Sequence, residues 1–161
     1  MTVYDVAAKL PPIDVLRDRC KALAVLERII DSIEPYYAYT KHWGDDEAAL
    51  MSNGSGDQWA IVFTAEGAFI RVFNHESAMT PYRDPDRELW SGLLDGIPPI
   101  FGPQVEEPAF GDGEGHFLAT AVLWRRTGDD RWHAGESIVF PPPPGSRVGC
   151  AASAQPPRPL R

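Results

Sequence analysis

Residues 53–77, NGSGDQWAIVFTAEGAFIRVFNHES, carry the pattern that decides the fold. Two apolar runs rich in β-branched and aromatic side chains, 58–64 and 68–74, flank the short segment 65–67 (AEG). A three-residue loop that ends in glycine suits a type I turn followed by a left-handed position. The stretch therefore predicts a β-hairpin.

The length of this loop assigns a register to the hairpin, in which Thr64 pairs with Ala68 and Asp57 faces His75. Because side chains alternate between the faces of a strand, this register gives one aromatic face and one face of small and aliphatic residues. Strands that are apolar on both faces are typical of a sheet covered on both sides. A two-residue turn would instead put Asp57 opposite Glu76, and a one-residue slip changes every pairing.

The flanking sequence predicts an α+β fold. Residues 13–33 predict a helix of about six turns, because apolar side chains recur every three or four residues, and this stripe is expected to pack in the core. A short helical insert is predicted at 86–94. The fold is thus a long N-terminal helix packed on an antiparallel meander sheet of about five or six strands. The other predicted strands are 36–43, 47–52, 116–125 and 131–140.

The length of 161 residues suits a single domain, which we assign to residues 1–140. The segment 141–161 contains seven prolines in 21 residues and almost no large apolar side chain. Such a composition does not bury enough surface to offset its ordering entropy, so a disordered C-terminal tail is expected.

The charge balance bears on the partner. The chain carries a net charge of −8, and its last 21 residues hold three arginines and no acid, which leaves −11 on residues 1–140. A nucleic-acid partner is not expected, since phosphate backbones need clustered Lys and Arg. A basic protein partner is compatible with this charge.

The cellular location follows from what the sequence lacks. No apolar run approaches the roughly 18 residues of a membrane span, and the N-terminus has no signal-peptide pattern. The two cysteines, Cys20 and Cys150, lie far apart and do not suggest a disulfide framework. We therefore expect a cytoplasmic protein with no membrane association; the oligomeric state stays open.

Two acidic loops suggest a binding surface. A tryptophan lies beside each loop, and aromatic anchors framed by acids suit a protein interface. The leading hypothesis is a non-enzymatic protein-binding module, of the immunity or regulatory type, with a basic partner. Loops at opposite ends of the fold would contradict a common surface. The candidate binding residues are Trp43, Asp45, Asp46, Asp129, Asp130 and Trp132.

The alternative is a small hydrolase-like enzyme. In the predicted register Asp57 would orient His75 as a general base, with Glu76 and Ser77 in support and Ser55 or Ser77 as the hydroxyl. A hydrogen bond that only ties down the loop is the structural interpretation of the same pair. No nucleophile elbow supports the enzyme, because residues 54–56 (GSG) lead into a strand.

Cofactor and metal sites are not expected. The chain has no Walker A loop and no G-x-G-x-x-G between a strand and a helix. Its four histidines form no H-E-x-x-H or Cys/His pattern. Residues 112–115 (DGEG) are similar to calcium loops only in composition, since the twelve-residue ligand spacing is missing.

Several segments together resemble a family of small uncharacterised bacterial proteins of the actinobacterial type, with characteristic NGSGD, HES-x-M and GDDRWH-like stretches. The resemblance covers about residues 23–136. It implies a small bacterial protein and supplies no activity. The segments are 37–63 (YAYTKHWGDDEAALMSNGSGDQWAIVF), 73–82 (FNHESAMTPY), 89–101 (LWSGLLDGIPPIF) and 123–135 (LWRRTGDDRWHAG).

Overall fold

A computed structural model describes residues 1–31 and 33–142, so the predicted disordered tail lies almost wholly outside the described residues. The long helix predicted from the sequence is present, short helical turns precede the fifth strand, and in the described chain six strands form one antiparallel sheet in the order β1 to β6. The predicted α+β meander is therefore confirmed. The helices are α1 (Val3–Ala7), α2 (Ile13–Ile30) and α3 (Gly102–Val105), and the strands are β1 (Tyr37–Trp43), β2 (Asp46–Ser52), β3 (Asp57–Phe63), β4 (Gly67–Asn74), β5 (Ala121–Arg126) and β6 (His133–Ala134).

The helix α2 begins after Pro12 and packs over β1 and β2 at one edge of the sheet. Its N-terminal half meets the core through Leu16 and the buried Cys20. The prediction that the whole apolar stripe packs inward is wrong, because Leu26 and Ile30 are exposed beyond the part of the helix that the sheet covers.

Among the helices of residues 1–31 and 33–142, none combines the length and apolar character that crossing a lipid bilayer requires.

The predicted hairpin forms, but its register is shifted by one residue. The Thr64 amide donates to the Gly67 carbonyl over 2.9 Å, which closes a two-residue turn. Asp57 consequently lies opposite Asn74, and neither His75 nor Glu76 takes that position. The Thr64 hydroxyl causes the shorter turn, since it accepts hydrogen bonds from the Glu66 and Gly67 amides.

Gly67 serves a packing role rather than the left-handed role predicted for it, since its φ is not positive. A Cβ atom there would overlap the Arg125 carbonyl of the neighbouring strand β5. The glycine therefore permits close pairing of β4 with β5.

The sheet is covered on both faces, as the apolar strands predicted. On one face Ile61, Ile70 and Leu123 pack with Cys20 of α2 and with Trp132. On the other face, an insert between β4 and β5 supplies buried aromatic residues that cover the sheet. This second cluster contains Val62, Phe69, Val122, Trp124, Phe101 and Phe110.

The helix predicted at 86–94 does not form; the segment consists of turns. Arg87 and Gly92 have positive φ, and such left-handed residues interrupt a right-handed helix. A Cβ at Gly92 would also overlap the Ser137 backbone. The helical parts of the insert lie on either side of this segment, in the 3₁₀ turn Pro81–Arg83 before it and in α3 and the 3₁₀ turns Pro99–Phe101 and Pro108–Phe110 after it.

The last two strands are shorter than predicted. β5 begins only at Ala121, because the preceding Leu118 carbonyl accepts a 2.5 Å hydrogen bond from the buried Arg71 guanidinium. β6 ends at Ala134, where Gly135 packs tightly against the Gly92 carbonyl.

Candidate functional site at the acidic end of the sheet

Successive turns of an antiparallel meander alternate between the two ends of its sheet. The β1–β2, β3–β4 and β5–β6 connections therefore lie at the same end. The two loops that carry Asp45, Asp46, Asp129 and Asp130 share this end. They do not lie at opposite ends of the fold, which is the arrangement that would have contradicted a common surface. We call this end, together with the start of α2, the acidic end.

A cleft of about 760 Å³ opens at the acidic end between the start of α2 and the turns. We call it the helix-side cleft. Two arginines, Arg17 and Arg125, also line it. Arg125 is bound to the Asp129 carbonyl at 3.0 and 3.2 Å, and Arg17 lies over the Phe63 ring. The cleft's carboxylates are Asp14, Asp45, Asp46, Glu47 and Glu66.

Most of these carboxylates lack a neutralising cation. Glu47 pairs with Lys21 at 3.3 Å, but Asp14, Asp45, Asp46 and Glu66 form no ion pair with any of residues 1–31 and 33–142. Burial, followed by the charges of Glu66 and Asp45, raises the pKa of Asp46 above its ordinary value. The helix-side cleft thus holds five carboxylates against two arginines, Arg17 and Arg125, so its negative charge is compensated only in part. The Nε atom of Arg17 is buried without a hydrogen-bond partner in the described structure.

A second cleft of about 460 Å³ lies on the other side of the β1–β2 turn. We call it the insert-side cleft, and Asp45 and Asp46 line both clefts. Its other wall comes from the insert through Pro103, Gln104 and Glu107. The two aspartates therefore form a ridge between two acidic depressions.

Gln104 supplies an unusual polar group in this wall. The side chain is only 9% exposed, and its Oε1 atom is buried without a hydrogen-bond partner in the described structure. Buried acceptors in proteins are almost always paired. The Gln104 oxygen lies below the surface, and the cleft carboxylates Asp45, Asp46 and Glu107 are the groups that suit a donor-rich cation such as an ammonium or a guanidinium.

The two candidate tryptophans lie on opposite faces of the sheet. Trp132 is 3% exposed, belongs to the helix-side core and donates its Nε1–H to the Pro11 carbonyl at 2.8 Å. Trp43 is half-buried and stacks on Phe110 with ring centroids 5.7 Å apart. Trp132 is therefore a core residue, whereas Trp43 is packed on one side and lines the insert-side cleft beside Asp45 and Asp46.

Asp129 and Asp130 differ in their roles within the β5–β6 loop. The Asp129 carboxylate accepts hydrogen bonds from the Arg126 amide at 3.0 Å and from the Arg126 guanidinium at 2.9 Å. The hydrogen bond from Arg126 lowers the pKa of Asp129. Asp130 is exposed to solvent. Asp129 closes the loop, whereas Asp130 is available at the surface.

The residues of the enzyme alternative have other partners. The Asp57 carboxylate accepts from Asn53 Nδ2 at 2.9 Å, and the His75 ring meets Tyr82 edge-on at 5.6 Å. Within the part of the chain that the structure describes, no hydrogen bond joins Asp57 to His75. The shifted register explains this separation, because Asn74 takes the position opposite Asp57.

The supporting residues of that alternative also have local roles. Ser77 Oγ accepts from the Met79 amide at 3.1 Å, the Ser55 amide donates to Asn53 Oδ1 at 2.9 Å, and Glu76 is exposed. Five cavities of the described residues, among them the helix-side and insert-side clefts, are lined by side chains other than Asp57, His75, Glu76 and Ser77. These contacts are those of turn closure.

One group of side chains has metal-ligand chemistry. Ligand atoms of Asp112, Glu114 and His116 lie within 4.8 Å of one another. Asp112 already accepts from His116 Nδ1 at 2.8 Å. Burial alone would raise the pKa of Asp112, but hydrogen bonds from His116 and the Glu114 amide outweigh it and lower that pKa. The hydrogen bond between Asp112 and His116 already accounts for the closeness of these two side chains.

Sequence reasoning missed Glu66, Gln104 and Asp14 as members of the acidic end. The position of Glu66 at this end follows from the alternation of meander turns, which was already part of the predicted topology. Gln104 and Asp14 carry no such signal, because their positions depend on how the insert and α2 pack against the sheet.

No protein-family model, no curated protein and no solved structure matches this chain.

Proposed function

We propose that this protein is a non-enzymatic, cytoplasmic protein-binding module of the immunity or regulatory type, which docks a basic partner on its acidic end. The observation that carries the proposal is the ridge of Asp45 and Asp46 between two acidic clefts. Side chains of lysine or arginine on a partner would enter the clefts on either side of this ridge.

Electrostatics supports a basic partner. The raised pKa of Asp46 reports burial and repulsion by neighbouring carboxylates, and a docked cation would relieve that repulsion. Complementary charge also steers the partner during encounter and excludes acidic competitors. Nucleic acid carries the same sign of charge as the ridge and would be repelled.

Hydrogen bonding supports the same class of partner. A lysine or arginine side chain brings only donors, and the insert-side cleft presents the carboxylates of Asp45, Asp46 and Glu107 as acceptors.

The test is affinity capture from the native host with three forms of the protein. The double variant Asp45→Asn, Asp46→Asn removes the ridge charge with little change of shape. The control, Asp86→Asn with Glu88→Gln, removes the same charge from two exposed residues outside both clefts. We expect a stoichiometric basic protein with wild type and control that is lost with the ridge variant. Capture that is indifferent to the ridge variant contradicts the proposal.

A further inference from the structure

The second half of α2 and the residues that follow it leave a continuous apolar surface uncovered. Isolated exposed apolar residues are normal, but a contiguous set on one element marks an interaction site. We call this surface the α2 patch; it consists of Val25, Leu26, Ile29, Ile30, Ile33 and Tyr36, each between 52% and 86% exposed.

A free strand edge runs beside the α2 patch. β1 is the first strand of the sheet, and its outer side pairs with no other strand among the described residues. The Ser52 amide donates to the Tyr36 carbonyl at 3.0 Å. Because hydrogen-bonded pairs alternate along an antiparallel ladder, the N–H and C=O groups of Tyr37 and Tyr39 point outward.

A groove of about 520 Å³ joins the strand edge to the helix. Ala24, Val25 and Ile29 of α2 line one wall, and Tyr37 and Tyr39 line the other. The groove therefore offers apolar side-chain contacts and unpaired backbone groups at the same place. An occupant must supply a β-strand together with an apolar surface above it.

We propose that the occupant is a second copy of this chain, with β1 of each copy pairing antiparallel across a two-fold axis at Ala38. Tyr37 of one copy then exchanges hydrogen bonds with Tyr39 of the other. Such an axis runs perpendicular to the sheet, so both α2 helices lie on the same face of a continuous twelve-stranded sheet. The two α2 patches meet across the axis.

The exposed area matches what a stable dimer needs. From the fractional exposure of its six residues, the patch presents on the order of 700 Å² per chain, close to the roughly 800 Å² per partner of standard interfaces. This exposed area is the upper bound of what the patch can bury, and pairing of the two β1 edges adds to it.

The charges around the patch are of both signs. Arg28 and Lys41 are exposed on its borders, as are Asp31 and Glu34. With β1 paired about Ala38, residue 41 of one copy lies opposite residue 35 of the other, which brings Lys41 close to Glu34 of the second copy. The groove itself is lined by the cations Lys21, Arg28 and Lys41, and the acidic border residues of a second copy supply the opposite charge.

Two features of β1 limit the length of the strand pairing between the two copies. Lys41 is exposed, and the register of β1 shifts between Thr40 and Trp43, where the His42 amide donates to Thr40 Oγ1 at 3.1 Å. Such bulges and edge lysines limit strand addition. They confine pairing to the first part of β1, and a two-fold contact uses that edge once, so the assembly closes as a dimer.

Analytical ultracentrifugation over a wide concentration range tests the proposal. Ile29→Glu places a charge in the patch at a residue that is 77% exposed, and Val139→Glu is the matched control at 75% exposure away from it. We expect a wild-type dimer, a control that keeps it, and a dissociation constant raised on the order of 100-fold by Ile29→Glu, since the change occurs twice per dimer.

Hydrogen exchange supplies a second readout that does not depend on a variant. Protection of the Tyr37 and Tyr39 amides should rise with protein concentration. A wild-type monomer at high micromolar concentration overturns the proposal. A monomer that instead sediments with anionic lipid vesicles, and stops doing so in Ile29→Glu, also overturns it and assigns the patch to a lipid surface.

Discussion

Replacing Trp132 tests whether this residue belongs to the core or to a binding surface. The side chain is 3% exposed and packs with Cys20, Ile61 and Leu123. Truncation of a buried tryptophan to alanine costs about 3–5 kcal/mol in the free energy of unfolding. Trp132→Phe keeps most of the packing but leaves the Pro11 carbonyl without its 2.8 Å hydrogen bond, which costs about 1–2 kcal/mol.

Urea unfolding followed by circular dichroism measures both changes. The midpoint should fall in the order wild type, Trp132→Phe, Trp132→Ala, with a constant slope against urea concentration. Trp43→Ala is a useful comparison, because that indole is only half-buried. Its truncation should lower the free energy of unfolding by less than Trp132→Ala does. A loss below about 1 kcal/mol for Trp132→Ala would refute the core assignment, since truncation of a buried aromatic exceeds that value.

Three further substitutions test individual features. Burial and neighbouring carboxylates raise the pKa of Asp46 in the folded state, so Asp46→Asn should stabilise the protein at neutral pH, and urea titrations should show the gain vanish as the pH falls below the ordinary value of 3.8. The pKa of Asp129 is lowered instead, so Asp129→Asn should destabilise at neutral pH, with the difference lost as acid protonates the folded wild type. Gly67→Ala should cost about 3 kcal/mol or more in thermal unfolding, because its Cβ meets the Arg125 carbonyl, whereas Gly102→Ala, with open space around it, should be nearly neutral.

The alternation and the periodicity of the sequence were sufficient to predict the architecture. Strand runs separated by short turns led to the antiparallel meander, and spacings of three and four led to α2. Both signals are local, since they depend on residues close in the chain. The register failed because Gly67 was interpreted as a turn residue, whereas its constraint is the backbone of β5, which is distant in sequence.

The helix stripe shows a related limit. A 3.6-residue period indicates which side of a helix is apolar, but it does not indicate how far the sheet extends beneath that side. Cys20 is covered and Ile30 is not, although both belong to the same stripe. The helix predicted at 86–94 failed for another reason, since the positive φ of Arg87 is not evident from its residue type.

The candidate site was only partly predictable. That the acidic loops share one end follows from an even number of strands between them in a meander. The internal packing of Trp132 and the buried oxygen of Gln104 depend on contacts with Pro11 and with the insert, which no sequence pattern specifies. Long-range packing therefore places Trp132 in the core, away from the carboxylates with which it was grouped, whereas Trp43 lines the insert-side cleft beside Asp45 and Asp46.

The central claim is that a basic partner docks on the acidic end, and a hydrogen-exchange footprint of the captured complex tests it most directly. The amides of residues 43–47 and 64–67 should exchange more slowly in the complex than in the free protein, because these turns form the ridge and the wall of the helix-side cleft. The Asp45→Asn, Asp46→Asn variant should lose that protection at the same partner concentration. Protection confined to other surfaces, or unchanged exchange at these two turns, would contradict the account.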